Sequence, residues 1–600
     1  MTRLESQRAL ADRFEPWVTA GAVSRPDLAA AVSLAEMCGE AGEHEILALA
    51  FAIAAPQSGH TAVDLHHIRE DTLAYAELRS PSAVPDVEHL PWPDDIAEWF
   101  ERLGVSPLVT STQSPLVVDN GLVYVRRFFE NECQVADGLR TLAGTKLSRT
   151  STVLVSEVLG LTEGQRRAVD ICATTRLGVL TGPPGSGKTR TVAALVADEL
   201  INSSTARIAL AAPTGKAAAR MSESISESVS LLAAAGDATI ASTSTTIQAL
   251  SPSTVHRLLG ARADGGFRYD ARNPLPYDLI IIDEASMLSL PLFAAVLDAL
   301  HPSARLVLVG DAGQLASVDT GSVLGDIAGT EGEVGHCVAE LTETHRFPAD
   351  SIIGRFSTAV LTGDEQAAMA LLDEISNPAV VDETQRDGML LEIVEQHADI
   401  EAFVRQHALN LVTKARDGDV ASALQQLDEF RVLCAHRRGP FGVDRWNSFS
   451  EQLLESEGVR TRSWYYGQPV MVTRNDPTQR LFNGDVGVVV ADGDRLRIAF
   501  GSSDPHFVEP TALADHATVH AMTIHKSQGS EFDHVVVVLP PEQSRLATRE
   551  LLYTAVTRAR RRVTLVGSRA AVLAALKSSE RRVSGLRGRL RGQQELEQFT

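Results

Sequence analysis

The chain has 600 residues, 44% of them hydrophobic, and a formal net charge of −22; a chain of this size implies roughly three or four domains. No stretch approaches the ~18 uncharged apolar residues of a membrane helix, and the five cysteines (Cys38, Cys133, Cys172, Cys337, Cys434) lie far apart with no CxxC pair, which argues against zinc, iron–sulfur and disulfide frameworks and for the cytoplasm. The acidic balance does not exclude nucleic acid, because a strand channel needs only a local positive lining.

Residues 1 to about 150 read as an Ala/Leu-rich helical segment, then Pro-rich loops (LRSPSAVPDVEHLPWPDD), then a strand-like LVYVRRFF, with no chemistry apparent. From about 151 short β-branched runs alternate with helical stretches: RLGVLTG, RIALAAPTG, YDLIIIDEAS, ARLVLVGD and CVAELTETHRF. Each is a short apolar run closed by a polar or glycine turn, the pattern of buried parallel strands in an α/β sheet. Such sheets bind ligands at the carboxyl ends of their strands. Residues 224–253 are rich in Ser, Thr and Ala and predict an ill-packed insertion or mobile loop. A second α/β set follows in FRVLCAH, EFDHVVVVLP and RRVTLVGS. Inside it, QPVMVTRND and NGDVGVVVADGDRLRIAF alternate with period two and carry Gly/Asp turns, which predicts a small antiparallel barrel. The basic tail RRVSGLRGRLRG (581–592) reads equally as a frayed solvated end or as a DNA- or partner-binding arm.

The chemistry starts from an imbalance. Six lysines stand against 49 arginines, and Lys188, Lys216 and Lys526 each adjoin a glycine-rich turn. A lysine retained where arginine is the default suggests a site that needs a compact point charge. Residues 182–189 fit G-x-x-x-x-G-K-[ST] between a strand-like GVL and an apparent helix, TVAALVADEL. The loop Gly182, Pro183, Pro184, Gly185, Ser186, Gly187, with Arg190 just beyond, is expected to cradle a triphosphate with backbone N–H groups at a helix N-terminus. Lys188 would bridge the β- and γ-phosphates, and Thr189 would bind Mg²⁺. LIIIDEAS ends in Asp283 and Glu284, one carboxylate for Mg²⁺ and the next to polarise the attacking water. LVLVGDAGQLASV ends in Gly310, Asp311 and Gln314, whose amide is placed to sense a γ-phosphate. No guanine-reading NKxD occurs, which favours ATP over GTP.

The order of GPPGSGKT, APTGKAA, STVHRLLG, IIDEASM, GDAGQL, HRF, TIHKSQGSEF and LYTAVTRAR resembles that of superfamily 1 helicases. More narrowly it is similar to the 5′→3′ branch and to the RecD family, the alpha subunits of exodeoxyribonuclease V. The likeness covers about 155–570, while SGHTAVDLHHI and SPLVVDNGLVYVRRFFENE are like that family's partner-docking N-terminal domain. The resemblance implies an α/β fold with two RecA-like parallel-sheet P-loop domains in tandem, a helical N-terminal domain and a small SH3-like β-barrel insertion. The expected bounds are 1–150 for the N-terminal domain, 151–350 for the first motor domain with a β-hairpin pin at 260–278, and 351–600 for the second, with the insertion at about 464–515. It implies an ATP-dependent 5′→3′ DNA helicase, the motor of a RecBCD-type helicase–nuclease in double-strand break repair by homologous recombination. ATP and Mg²⁺ are the implied cofactors. Single-stranded DNA, duplex ends and RecB-like and RecC-like subunits of a heterotrimer are the implied partners, with no membrane and with nuclease activity in another subunit. A stand-alone 5′→3′ superfamily 1 DNA helicase is the alternative, and an RNA helicase of the superfamily is not separated by phosphate contacts alone.

Site roles follow from the matching motifs. Gln165 in LTEGQRRAV becomes the adenine contact, and Thr189 and Asp283 the metal site. Lys188, Asp283, Glu284, Gln314, Arg346 of ETHRF and Arg558 of YTAVTRAR become catalytic, the arginines reaching the γ-phosphate. Thr214 and Lys216 are expected on a DNA phosphate, although Thr214 also suits a helix cap. Thr254 and His256 are expected near the strand, as are Thr523, His525, Lys526 and Ser527, with Gln528, Gly529 and Glu531 coupling DNA to the ATP cleft. Thr473, Asn475 and Asn483 read equally as DNA contacts or turn formers. Phe267 is expected near the tip or base of the pin.

Overall fold

The computed structural model describes residues 13–39, 42–79, 87–111, 113–147, 153–262, 264–317, 319–330, 332–343, 351–375, 390–395, 397–476, 478–493, 495–501 and 505–591. The apolar runs from 177 to 340 form six parallel strands in the order Ser253–Thr254, Ile208–Ala212, Leu279–Ile282, Arg305–Gly310, Leu177–Thr181, Val338–Glu340. Leu279–Ile282 is buried along its whole length, so its sequence is continuously apolar rather than alternating. One face packs on Phe293 and Val296 of helix Leu290–Asp298, the other on Val192 and Val196 of helix Lys188–Asn202. This first lobe therefore presents Thr181, Ile282 and Gly310 side by side at one carboxyl edge.

A second lobe holds five parallel strands in the order Leu390–Val394, Ala559–Val566, Phe532–Val538, Phe430–Cys434, Ala521–Thr523. Its core also takes in Phe356 and Val360 of helix Ile352–Thr362, and Leu315 from the first lobe. Between Phe430–Cys434 and Ala521–Thr523 the chain forms an antiparallel sheet ordered His506–Val508, Arg495–Phe500, Val486–Asp492, Pro469–Val472, His516–Thr518. The period-two alternation is realised. Among the described residues, however, no ladder closes His506–Val508 onto His516–Thr518, and the 3₁₀ turn Pro510–Ala512 lies between them. Over those residues the insertion is an open five-stranded sheet, not a closed barrel.

The N-terminal region has its own core, in which Trp92 meets Trp17 edge-on at 4.6 Å and stacks on Phe51 at 5.9 Å. LVYVRRFF is only half strand. Leu122–Val125 pairs with Leu116–Asp119, and Arg126 then opens the helix Arg126–Ala143, whose Val135, Leu139 and Leu142 enter the first lobe's core. The Ser/Thr-rich 224–253 is not a loose loop either. Helix Gly215–Ala233 runs into it and helix Ala238–Gln248 follows, capped by Asp237 through the Thr239 and Ile240 amides. Ile225, Val229, Leu232, Ile240 and Ile247 carry its burial at helical spacing, which the small polar residues between them mask.

The basic tail is neither frayed nor a free arm over the residues described. It lies in the seam between the N-terminal region and the first lobe. Arg581 pairs with Asp64 and Asp71. The Thr61 amide donates to Val583 O at 3.0 Å, and the Val583 amide to His60 Nδ1 at 2.9 Å. Leu586 and Leu590 enter the first lobe's core. Arg589 reaches Asp119 at 2.7 Å and Glu132 at 3.3 Å, where Glu132 is 0% exposed.

Candidate active site

A cleft of about 620 Å³ opens between the two lobes at the carboxyl edge of the first sheet. The strand Leu177–Thr181 delivers the chain to the glycine loop and helix Lys188–Asn202 takes it away. Gly182 has no room for a side chain, since a Cβ would stand 2.6 Å from Leu341 O. Gly187, at φ 81°, makes the left-handed turn into the helix that lets consecutive N–H groups face the cleft. Lys188 Nζ donates to Gly182 O at 2.6 Å and Pro183 O at 3.0 Å, so the ammonium sits over its own loop. Pro184, Gly185, Thr189 and Arg190 line the same wall.

Asp283 and Glu284 leave the tip of Leu279–Ile282 into the cleft. Glu284 has φ 51°, left-handed backbone that costs a non-glycine residue about 1–2 kcal/mol. Desolvation, then the neighbouring Glu284 charge, pushes the Asp283 carboxyl up to about 6, and Lys188 opposes this. Asp311 is also raised by burial, with Lys188 again opposing. Two desolvated carboxylates, Asp283 and Asp311, beside Lys188 suit a divalent cation bound with a polyphosphate. Two buried oxygens, Ser186 Oγ and Gln314 Oε1, have no hydrogen-bond partner among the described residues. The donor set therefore fits a hydrated Mg²⁺ and a triphosphate, for which Thr189 and Asp283 would supply protein oxygens.

The second lobe supplies Arg558, 2% exposed, whose Nε donates to Thr554 O at 3.1 Å and whose Nη1 donates to Ser530 O at 3.3 Å. Gln165 lies at the cleft edge. Its Oε1 accepts the Thr162 amide at 3.1 Å and its Nε2 donates to Ser186 O at 3.0 Å, which leaves half of its amide capacity for a base. Arg346 lies outside the described residues.

The residues expected on DNA divide into groups. Thr214 and Thr254 stand on adjacent strand ends of the first lobe, and both hydroxyls accept helix N-terminal amides, from Ala217 and from Arg257. Lys216 faces a separate cavity of about 600 Å³ between the first lobe, the second lobe and the small sheet. Desolvation drives its pKa down to about 8, with Asp428 and Asp485 opposing. His256 is exposed, its ring 6.2 Å from that of Phe267. Phe267 sits at the base of the 260–278 segment, bridged to Ala261, while Asp264, Gly265 and Gly266 form an exposed tip. On the second lobe, Thr523 accepts the Lys526 amide at 3.3 Å, Lys526 is exposed, and burial holds His525 below its ordinary pKa. Ser527 departs from expectation. It is fully buried and its hydroxyl donates to Ile524 O at 2.7 Å, because the 3₁₀ turn His525–Ser527 rolls it inward. Asn475 Oδ1 accepts the Asn483 amide at 2.8 Å and Thr473 N donates to Asp515 O at 3.0 Å, so these three tie the loops of the small sheet to one another.

Sequence reasoning passed over two residues that line the cleft or span it. Arg220 stands two residues beyond APTGKAA, and Tyr553 in LYTAVTRAR. One arginine among 49 carries no signal of its own.

Three family models match in series: "RecBCD enzyme subunit RecD, N-terminal domain" over 19–124, "AAA domain" over 160–385 and "UvrD-like helicase C-terminal domain" over 518–566. The RecBCD enzyme subunit RecD of Mycobacterium tuberculosis (strain H37Rv) is 41% identical over 95% of this chain and 95% of its own length. The chain belongs to the RecD family. The subunit of that name from Mycolicibacterium smegmatis is 42% identical over 91% of this chain and 93% of its own. The ATP-dependent RecD2 DNA helicase of Deinococcus radiodurans is 31% identical over 90% of this chain and 68% of its own. No helix among the described residues is long and apolar enough to cross a membrane.

Proposed function

We propose that this chain is an ATP-dependent 5′→3′ DNA helicase and the motor subunit of a RecBCD-type helicase–nuclease (exodeoxyribonuclease V). It would act with RecB-like and RecC-like subunits on duplex ends in double-strand break repair by homologous recombination, with cutting done elsewhere in the complex. The observation that carries this reading is the two-sided lining of one cleft, with Lys188, Glu284 and Gln314 from the first lobe facing Arg558 from the second. The match of 19–124 to the RecD N-terminal domain favours the subunit over a stand-alone helicase, with 1–150 as the docking domain and 151–350 and 351–600 as the motor pair. Five free cysteines suit a cytoplasmic enzyme.

In this reading Lys188 leaves the loop carbonyls for the β- and γ-phosphates. Glu284 orients and polarises the attacking water, while Gln314 senses the γ-phosphate. Magnesium, held through Thr189 and Asp283, would neutralise charge on the phosphate oxygens. Arg558, and Arg346 near the lobe junction, stabilise the transferring group, so turnover needs the lobes shut. Thr214, Lys216, Thr254 and His256 on one lobe and Thr523, His525 and Lys526 on the other grip phosphates largely without regard to sequence, with Thr473, Asn475 and Asn483 shaping the rim. The 260–278 segment serves as the pin, with Phe267 bracing its base. The test is Lys188→Ala in the purified complex: strand-stimulated phosphate release from this subunit should vanish, and undiminished release overturns the reading.

A further inference from the structure

We infer that Arg220 is the positioning residue that links strand binding on the first lobe to placement of Arg558 in the cleft. The inference deepens the helicase reading and rests on it. Arg220 lies one turn along the helix Gly215–Ala233 from Lys216, on the same face, and the N-terminus of that helix carries Thr214 as its cap. Its guanidinium crosses between the lobes. Nη2 forms an ion pair with Glu531 Oε1, and Nη1 donates to Gly529 O at 3.2 Å. Glu531 is 10% exposed and also meets Arg560 Nε at 3.5 Å. Arg220, Glu531 and Arg560 line both the nucleotide cleft and the cavity that holds Lys216. They are the partition between the two.

The turn that Arg220 grasps is tied on both sides. Gln528 Nε2 donates to Leu315 O of the first lobe at 2.8 Å. Ser530 O accepts Arg558 Nη1. Residues 528–531 therefore connect Arg220 to Arg558 through successive backbone groups, and Gly529, at φ 70°, faces Ala217, whose Cβ would stand 3.9 Å from a Cβ placed on that glycine. A movement of the helix that follows a strand held at its N-terminus is transmitted by Arg220 to the carbonyl that orients Arg558. Arg220 touches no reacting atom in this scheme and acts through the turn. A planar fork suits the role, because it engages a carboxylate and a carbonyl together.

The test uses the full chain in the complex with which it purifies, subtracting the rate of the Lys188→Ala complex. Arg220→Gln should lower strand-stimulated kcat by about tenfold while the KM for ATP and the affinity for single-stranded DNA each change by less than about threefold. Glu531→Gln, approached from the other lobe, should lose a similar factor, and the double variant should be no slower than the slower single, as partners in one interaction require. Arg220→Lys should restore only part of the rate, and melting temperatures should stay within about 2 °C of the parent. A kcat for Arg220→Gln within about threefold of the parent, or a double-variant loss equal to the product of the singles, overturns the inference and leaves the helicase reading standing. A parent complex with no Lys188-dependent, strand-stimulated rate overturns that reading first, and this inference with it.

Discussion

The Tyr553 hydroxyl donates to Asp311 Oδ2 at 3.1 Å, and this one bond joins the second lobe to the strand end beside the nucleotide loop. Asp311 also accepts the Gln314 amide at 3.0 Å and the Gly313 N–H at 3.0 Å. Closure of the lobes and the position of Gln314, the proposed γ-phosphate sensor, therefore share a carboxylate. Tyr553→Phe removes the bond with little change of shape, at a cost of about 1–2 kcal/mol. The expected result is a fall in strand-stimulated kcat of roughly five- to thirtyfold with a smaller effect on ATP affinity. Steady-state hydrolysis against ATP concentration checks it, and an unchanged kcat is the adverse result.

Glu284 and Arg558 face each other from different lobes and should fail differently. Glu284→Gln keeps the cleft shape and removes the base, so nucleotide should still bind while hydrolysis falls by about 10²–10⁴-fold. Arg558→Ala removes charge stabilisation of the transferring group and should cost about 10³-fold or more. Single-turnover hydrolysis beside equilibrium nucleotide binding separates binding from chemistry. Parent-like turnover in either variant contradicts the assigned roles.

The pin assignment has its own signature. Deleting the exposed tip Asp264–Gly266 should abolish unwinding of a forked duplex and spare ATP hydrolysis stimulated by single strands. Phe267 is left in place because it packs against the first lobe's core. Loss of both activities would mean that the segment serves the fold rather than strand separation.

Leu586 and Leu590 are fully buried against the first lobe. Leu→Ala at either position should cost about 2–5 kcal/mol locally. Limited proteolysis should then cleave at the seam between the N-terminal region and the first lobe, and the cleavage should be slower in the parent. Equal cleavage rates would show that the tail merely rests on that seam.

His60 gives the same seam a pH dependence. Burial, then the guanidinium groups of Arg582 and Arg581, hold its pKa down to about 4. The folded state thus binds a proton less readily than the unfolded chain. Its contribution is complete above the ordinary 6.5 and fades as pH falls toward about 4. Asp326, pushed up to about 6 by burial, and Asp71, also raised by burial, act in the opposite sense. The measurement is therefore a difference. Protection of the Val583 amide, taken relative to its intrinsic exchange rate at each pH, should fall more steeply below pH 6.5 in the parent than in His60→Gln, which keeps an acceptor without a titrating ring. Superimposable curves would remove His60 from the account.

The nucleotide loop was legible because its chemistry is local. The strand, the glycines, Lys188 and Thr189 follow one another, and nothing distant is needed to interpret them. Asp283 and Glu284 were legible for the same reason, at the end of a wholly apolar run. The tail was not. A basic run shows its charge but not its partners, and the carboxylates that receive it, Asp119 and Asp64, lie 470 and 517 residues upstream. Ser527 and Arg220 erred in opposite directions. A serine in a matching motif was assigned to a strand although the turn buries it, and an arginine just past another motif drew no role although it spans the lobes. Helix Ala238–Gln248 was hidden by composition, since Ser and Thr suppress the apolar signal without preventing four buried positions at helical spacing.

Translation meets the tail only after everything that the tail latches. The ribosome completes the N-terminal region and both lobes before it emits 581–591, so the seam stays unlatched on the nascent chain until the second lobe has emerged. A message cut short within the second lobe yields a product in which the Glu132 carboxylate keeps Thr61 and Tyr124 but lacks Ser584, Gly585 and Arg589. A buried acid stranded without its cation is costly, so a truncated chain should hold this seam less firmly than the full one.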